Sequence, residues 1–177
     1  MCVMNRSIAL LAIAACVFLP ACGGDDDTAP SAAAPLVFST QLSPSNEVPP
    51  VTGTESTGRG AVQVQFNVTR DASGGISAAT ATFTFQLTGF PAGTTVQGAH
   101  IHPGVAGVNG SVIISTGLTA TNTVSLPSGT GEFTFNNIPV DPALAQQILN
   151  NPAGFYFNVH SPNNTGGFAR GQLQRVS

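Results

Sequence analysis

The chain has 177 residues with no lysine, no tryptophan, one tyrosine and only 7% charged residues, and its formal net charge is −3. Nucleic-acid binding needs a basic surface that displaces counterions from phosphates, so this composition argues against a nucleic-acid partner. A P-loop needs a lysine after its glycines, so none of the Gly-Gly pairs is a phosphate-binding loop. No Gly-x-Ser-x-Gly motif is present, and we predict no catalytic residue.

The amino-terminal region predicts secretion. The apolar stretch from Ile8 to Leu19 has the length of a signal-peptide hydrophobic region and is shorter than the roughly 20 residues that cross a bilayer. It ends in Leu19-Pro20-Ala21-Cys22, which resembles the lipobox of bacterial lipoproteins, where the cysteine is lipidated after cleavage. We therefore predict a lipoprotein signal peptide at residues 1–21 and a lipid anchor on Cys22. An ordinary signal peptide with an incidental cysteine is the alternative.

The mature chain would then contain no free thiol, because the other two cysteines lie in the removed segment. This excludes a disulfide framework, a cysteine-containing zinc site and thiol catalysis. Residues 22–35 are small, acidic and rich in proline, and they predict a flexible tether to one domain at residues 36–177. An aspartate directly after the lipidated cysteine retains lipoproteins in the inner membrane, and this chain has Gly23 at that position. We therefore expect the periplasmic side of the outer membrane, or the surface, of a bacterium.

Short alternating segments predict an all-β domain. From Gly60 to Val68, valine and phenylalanine occupy one face and glutamine and asparagine the other, as in a half-buried strand. A turn cluster at 71–75 and renewed alternation from Ile76 to Leu87 predict a hairpin. Spacings of about 8 to 12 residues favour an antiparallel sandwich or small barrel. The other predicted strands are Leu36–Leu42, Thr95–His102, Ser111–Ser115, Thr119–Ser125, Gly131–Ile138, Phe155–His160 and Phe168–Val176.

One segment has helical character. Asp141 precedes Pro142 and a run of good helix formers that ends at Asn150, which is the pattern of an N-cap, a proline in the first turn and a polar carboxyl end. We predict one short helix at 141–150, with Leu144 and Ile148 packed against the sheet.

The three histidines all lie in predicted strands. His100 and His102 are two residues apart and therefore share a strand face, and His160 ends another strand. Three imidazoles with an open fourth position suit copper or zinc, and nitrogen ligands bind Cu²⁺ more tightly than Zn²⁺. A hydrogen-bonded structural cluster and unrelated surface histidines are the alternatives.

Four motifs in order resemble the CHRD domain, the module named after chordin and common in bacterial secreted proteins. They are Asn46-Glu47-Val48-Pro49-Pro50, Ala99-His100-Ile101-His102, Tyr156-Phe157-Asn158-Val159-His160 and Gly167-Phe168-Ala169-Arg170-Gly171-Gln172. The resemblance implies an immunoglobulin-like or superoxide-dismutase-like antiparallel Greek-key β-sandwich. It also implies a distant relationship to Cu,Zn superoxide dismutases, because the three histidines and Arg170 occur in the same order there. The bridging histidine, the other zinc ligands and the cysteines of those enzymes have no counterpart here.

The same resemblance places three polar side chains around the histidines. Glu47 is expected as a fourth ligand, as an acceptor that orients an imidazole, or simply as a cap before Pro49. Arg170 is expected to pair with a carboxylate such as Glu47 or to bind an anion, and Gln172 shares its strand face.

Three functions remain open. The first is a membrane-anchored extracytoplasmic module that binds copper or zinc through the three histidines. The second is an extracellular protein-interaction module with a structural histidine cluster, whose partner is unknown and whose binding loops include 103–110. The third, a copper-dependent dismutase, lacks the bridging histidine that its mechanism uses.

Overall fold

The computed structural model describes residues 34–176. The predicted signal peptide at 1–21, the lipidation residue Cys22 and the tether up to residue 33 lie outside the described residues. None of the helices in the described part of the chain has the length and apolar character that a bilayer crossing requires.

The described residues form eleven strands and one α-helix. The strands are β1 (Leu36–Leu42), β2 (Arg59–Arg70), β3 (Ile76–Thr88), β4 (Thr94–Val96), β5 (Gly98–Pro103), β6 (Ile114–Ser115), β7 (Val124–Leu126), β8 (Gly131–Val140), β9 (Phe155–His160), β10 (Ala169–Gln172) and β11 (Gln174–Arg175). The helix α1 is Pro142–Asn150, and 3-10 turns occupy Pro44–Asn46, Thr54–Thr57 and Pro152–Gly154.

Two antiparallel sheets pack face to face. One has the strand order β11-β1-β2-β3-β8 and the other β10-β9-β5-β6, and β4 pairs with β7 in a small third sheet. The aromatic ring of Phe157 in β9 lies 5.9 Å from that of Phe83 and 5.5 Å from that of Phe85, both in β3. Burial of these apolar faces stabilises the fold. The predicted all-β sandwich with one short helix is confirmed.

Local sequence signals account for the hairpin and the helix. Asp71 Oδ1 accepts hydrogen bonds from the backbone N–H groups of Ser73 and Gly75, which closes the turn between β2 and β3. Asp141 caps α1 by accepting from the Leu144 N–H at 3.0 Å, and Ile148 is fully buried against the core. Both predictions are confirmed.

Four predicted strands were too long, and two of them divide because their residues bond to different neighbours. The stretch Thr95–His102 divides at Gln97 into β4 and β5, which pair with β7 and β9 respectively. The stretch Phe168–Val176 divides at Leu173, where the chain passes from one sheet to the other. Of Ser111–Ser115, only Ile114 and Ser115 pair as a strand. Of Thr119–Ser125, only Val124 and Ser125 lie in a strand, β7.

Candidate functional site

The pairing of β5 with β9 brings the three histidines to one face of the four-stranded sheet. Ala99 and Ile101 in β5 are fully buried in the core, so His100 and His102 point to the opposite face. His160 in β9 is paired with Gly98, two residues before His100 in β5. Paired residues in an antiparallel ladder share a face, so His160 joins the other two imidazoles.

The imidazole rings form a compact triangle. Their ring centroids are 4.8 Å apart for His100 and His160, 5.7 Å for His100 and His102, and 5.9 Å for His102 and His160. One nitrogen from each ring lies within 4.8 Å of the others, and within residues 34–176 this is the group of His, Cys, Asp and Glu side chains that could hold a metal ion. Gly98 leaves room for the His100 ring, because the Cβ of any other residue at this position would lie 2.8 Å from His100 Cε1.

Two backbone carbonyls orient two of the rings. Nδ1 of His102 lies 3.0 Å from the Gly110 carbonyl oxygen, and Nδ1 of His160 lies 2.9 Å from that of Thr165. A carbonyl oxygen only accepts, so Nδ1 is the donor in such a bond, and the Nε2 of a neutral ring that makes it keeps its lone pair. A metal-ligating histidine is usually held by such a bond from its other ring nitrogen.

The site contains nitrogen and oxygen atoms that a cation would satisfy. Nε2 of His102 and Nδ1 of His100 are buried without a hydrogen-bond partner. Nε2 of His160 lies 2.9 Å from Oδ1 of Asn158, whose NH₂ group is directed toward the Gly166 carbonyl. With the proton of His160 on Nδ1, this lone pair and the amide oxygen face each other, and a cation beside Nε2 would satisfy both. The donor set therefore fits a metal ion.

Burial keeps the histidines neutral. It lowers the pKa of His100 to about 4, with smaller contributions from the neighbouring His160 and His102. The pKa values of His102 and His160 are also lowered, in both cases chiefly by burial. The neutral imidazole is the form that binds metals, so the triad is ready for an ion at neutral pH.

A stacked arrangement supports His102 from one side. The Tyr156 ring is nearly parallel to the His102 ring, at 4.9 Å between centroids and an angle of 5°. The guanidinium carbon of Arg170 lies 4.5 Å from the centroid of the same tyrosine ring. Gly110 links the two stacked rings, because its N–H donates to the Tyr156 hydroxyl while its carbonyl accepts from His102.

Arg170 is buried and connects two segments that are distant in the sequence. It is 1% exposed, and it donates from Nε to the Asn46 carbonyl and from Nη1 to Asn109 Oδ1. Its Nε is 4.0 Å from Glu47 Oε2, so the expected pairing of Arg170 with Glu47 is present at long range. Arg170 thereby joins the 46–47 and 109 segments above the sheet, and it is stacked on Tyr156, which in turn is stacked on His102.

Glu47 and Gln172 lie at the margin of the site. Glu47 is buried, and burial raises its pKa to about 7, partly offset by Arg170 and by a hydrogen bond from Asn158. Its carboxylate is not part of the converging group, which consists of the three histidines alone among the described residues. Gln172 donates to the carbonyls of Gly104 and Ala153 at 2.9 Å, so it holds two loops together. The roles predicted for both around a metal stay predictions.

Several residues of the site were missed by sequence reasoning. Tyr156 and Asn158 alternate with His160 along β9, so the same period that grouped the histidines could have found them. Gly110 and Thr165 act through backbone carbonyls, which leave no signal in side-chain identity. Glu55 lies in a 3-10 turn and is buried, which no local sequence pattern indicates.

Comparison with known proteins bears on this arrangement. No curated protein and no solved structure matches the chain significantly. The distant similarity to Cu,Zn superoxide dismutases is therefore not shown and stays a prediction. The family model described as the CHRD domain matches residues 38–173, which include the three histidines, Glu47 and Arg170. The chain thus belongs to the CHRD domain family.

Proposed function

We propose that this protein is a membrane-anchored extracytoplasmic lipoprotein whose CHRD domain binds one copper or zinc ion through His100, His102 and His160. The observation that carries the proposal is the convergence of three imidazoles, with one nitrogen of each ring within 4.8 Å of the others and two buried ring nitrogens that lack hydrogen-bond partners. Backbone carbonyls lie within hydrogen-bond distance of Nδ1 of His102 and His160, and a bond of this kind usually orients a metal-ligating histidine.

The donor set narrows the choice of ion. Three nitrogen ligands without a thiolate suit Cu²⁺ and Zn²⁺, and the general affinity order favours copper when both are present. A bound ion of this kind would supply Lewis acidity or, for copper, electron transfer. Partial or full burial of the three rings lowers their pKa values and keeps the histidines unprotonated at neutral pH.

Metal content measured by mass spectrometry tests the proposal. The chain from residue 22 with Cys22→Ser is dialysed against Cu²⁺ or Zn²⁺ and compared with the same protein carrying His100→Gln and His102→Gln. We expect about one equivalent of metal in the first protein and none in the second. Because the chain has three histidines and this protein has no cysteine, binding that depends on them identifies the triad. Equal metal content in both proteins would refute the proposal.

The single tyrosine provides an affinity measurement. The chain has no tryptophan, and Tyr156 is stacked on His102, so its fluorescence reports on the site alone. Paramagnetic Cu²⁺ bound at the triad should quench this emission, whereas Zn²⁺ should leave most of it. The histidine variant should show neither response.

The anchor rests on the apolar segment Ile8–Leu19 followed by Cys22. Two acyl chains hold a protein stably at a membrane surface, whereas a single chain binds only marginally. In a bacterial host, Cys22→Ser should move the protein from the membrane fraction to the soluble fraction, and Ser31→Ala should leave it with the membranes. Separation of inner and outer membranes then tests the expected outer location. An unchanged distribution of the Cys22 variant would exclude the lipid anchor.

A protein-interaction module is the second candidate function. It is favoured by exposed valines at the segments that cover the site: Val105 is 56% exposed, Val108 is 49% exposed and Val48 is 37% exposed. In this alternative the histidines are structural. The same metal measurement separates the two functions, because a purely structural cluster would bind no metal in either protein.

A further inference from the structure

A second buried carboxylate lies outside the triad. Glu55, in the 3-10 turn Thr54–Thr57, is 3% exposed. Its Oε2 accepts hydrogen bonds from Ser161 Oγ, at 2.8 Å, and from Nδ2 of Asn164. A buried carboxylate is costly unless it is hydrogen-bonded, so these two donors are what make its burial tolerable.

Both donors belong to the turn that directly follows His160. Within that turn, the Asn164 N–H donates to Ser161 Oγ at 3.0 Å and the Ser161 N–H donates to the Asn164 carbonyl. The next residue, Thr165, presents its carbonyl oxygen 2.9 Å from Nδ1 of His160. Glu55 therefore holds the segment that carries the hydrogen-bond acceptor of a metal-ligand candidate.

His160 has a competing arrangement. Its Nε2 lies 2.9 Å from Asn158 Oδ1, so a proton on Nε2 would also find an acceptor. That tautomer would remove the lone pair from the nitrogen that faces the site. The Thr165 carbonyl favours a proton on Nδ1 and the Asn158 oxygen favours a proton on Nε2, so a displacement of Thr165 would shift the balance between the two tautomers.

We propose that Glu55 is a positioning residue for the triad: by clamping the 161–165 turn, it keeps the proton of His160 on Nδ1 and leaves Nε2 free to bind a cation. The claim that Nε2 binds a cation rests on the metal-binding function proposed above. The claim that Glu55 keeps the proton of His160 on Nδ1 concerns the metal-free protein and is independent of it. Because both donors converge on one carboxylate oxygen, the amide oxygen of a glutamine can replace it.

The test uses ¹⁵N NMR of histidine in the metal-free protein from residue 22 with Cys22→Ser, together with Glu55→Ala, Glu55→Gln and Asp71→Ala variants. Asp71 is the matched control, since it organises a turn through three hydrogen bonds at the β2–β3 hairpin. We expect His160 to be protonated on Nδ1 in the parent, in Glu55→Gln and in Asp71→Ala. In Glu55→Ala we expect a mixture of both tautomers.

Metal titration followed by Tyr156 fluorescence gives the second readout. Glu55→Ala should weaken Cu²⁺ affinity by about 10- to 100-fold, the usual effect of losing an outer hydrogen-bond partner, with recovery in Glu55→Gln. An unchanged His160 tautomer in folded Glu55→Ala would overturn the proposal. If Glu55→Ala does not fold, Asn164→Ala, which removes one of the two donors, must shift the tautomer or the proposal fails. If the tautomer shifts but the parent binds no metal, the metal function fails while the positioning role stands.

Discussion

Gly110 is the residue whose backbone touches both His102 and Tyr156. It has no room for a side chain, because a Cβ there would overlap the carbonyl oxygen of Pro103. We expect Gly110→Ala to displace this loop and lower the free energy of unfolding by about 1–3 kcal/mol, a typical cost of overpacking. Urea denaturation measures the loss, and Cu²⁺ affinity should fall with it. Gly166→Ala is the control, since a Cβ there has no neighbour within 4 Å, and an equal loss in both variants would contradict the explanation.

The histidines predict how stability of the metal-free protein varies with pH. The pKa of His100 is about 4 in the folded chain and 6.5 as the ordinary value, so between these values the unfolded chain binds more protons. The free energy of unfolding therefore falls as pH decreases through this window. Glu47 acts oppositely, because its pKa rises from 4.5 to about 7 on folding, so its contribution is lost as pH increases through that range.

Urea denaturation at pH 6.5 and pH 4.5 checks this balance. The three lowered histidine pKa values should outweigh the single glutamate, so the parent protein loses stability on acidification. His100→Gln should lose less between the two pH values, and Glu47→Gln should lose more. If His100→Gln shows the same difference as the parent, the low pKa of His100 is wrong.

At the scale of elements, the helix can be perturbed without touching the site. Asp141 is the N-cap of α1, and Asp141→Ala removes its bond to the Leu144 N–H, which should cost about 1 kcal/mol. Asp141→Asn should retain most of the stability, because asparagine is an equally good cap. Denaturant titration measures both variants. Metal stoichiometry should be unchanged, since α1 packs on β3 of the other sheet; altered metal binding would contradict this separation.

Strand pairing decided what local patterns could not. Alternation along the chain predicted β2, β3 and β9 well, because each has one apolar face and near neighbours in sequence or in the core. It did not reveal that the chain changes sheets at Gln97 and Leu173. A change of hydrogen-bond partner leaves the alternation of the sequence almost intact, so the boundary is invisible before the sheets are assembled.

For the whole molecule, Phe157 connects the candidate site to the core between the sheets. It is fully buried against Phe83 and Phe85, and it lies in β9 between Tyr156 and Asn158. Phe157→Ala should lower the free energy of unfolding by about 3–5 kcal/mol through the lost burial and the cavity that remains. Val176→Ala, at a side chain that is 58% exposed, should change it by less than about 0.5 kcal/mol. Similar losses would argue against a shared core.

The sequence alone determined the all-β class, the β2–β3 hairpin, the helix and the sharing of a face by His100 and His102, because these depend on near neighbours and on the period of the strand. Only the tertiary structure decided that His160 completes the triangle beside Gly98, and that the Gly110 and Thr165 carbonyls orient two rings. It also decided that Glu55 is buried, and that Arg170, which was expected to pair with a carboxylate, is buried and bonded mainly to the 46 and 109 segments. The physical reason is distance along the chain: such contacts join residues up to 124 positions apart, and backbone acceptors carry no trace in the identity of the residues that provide them.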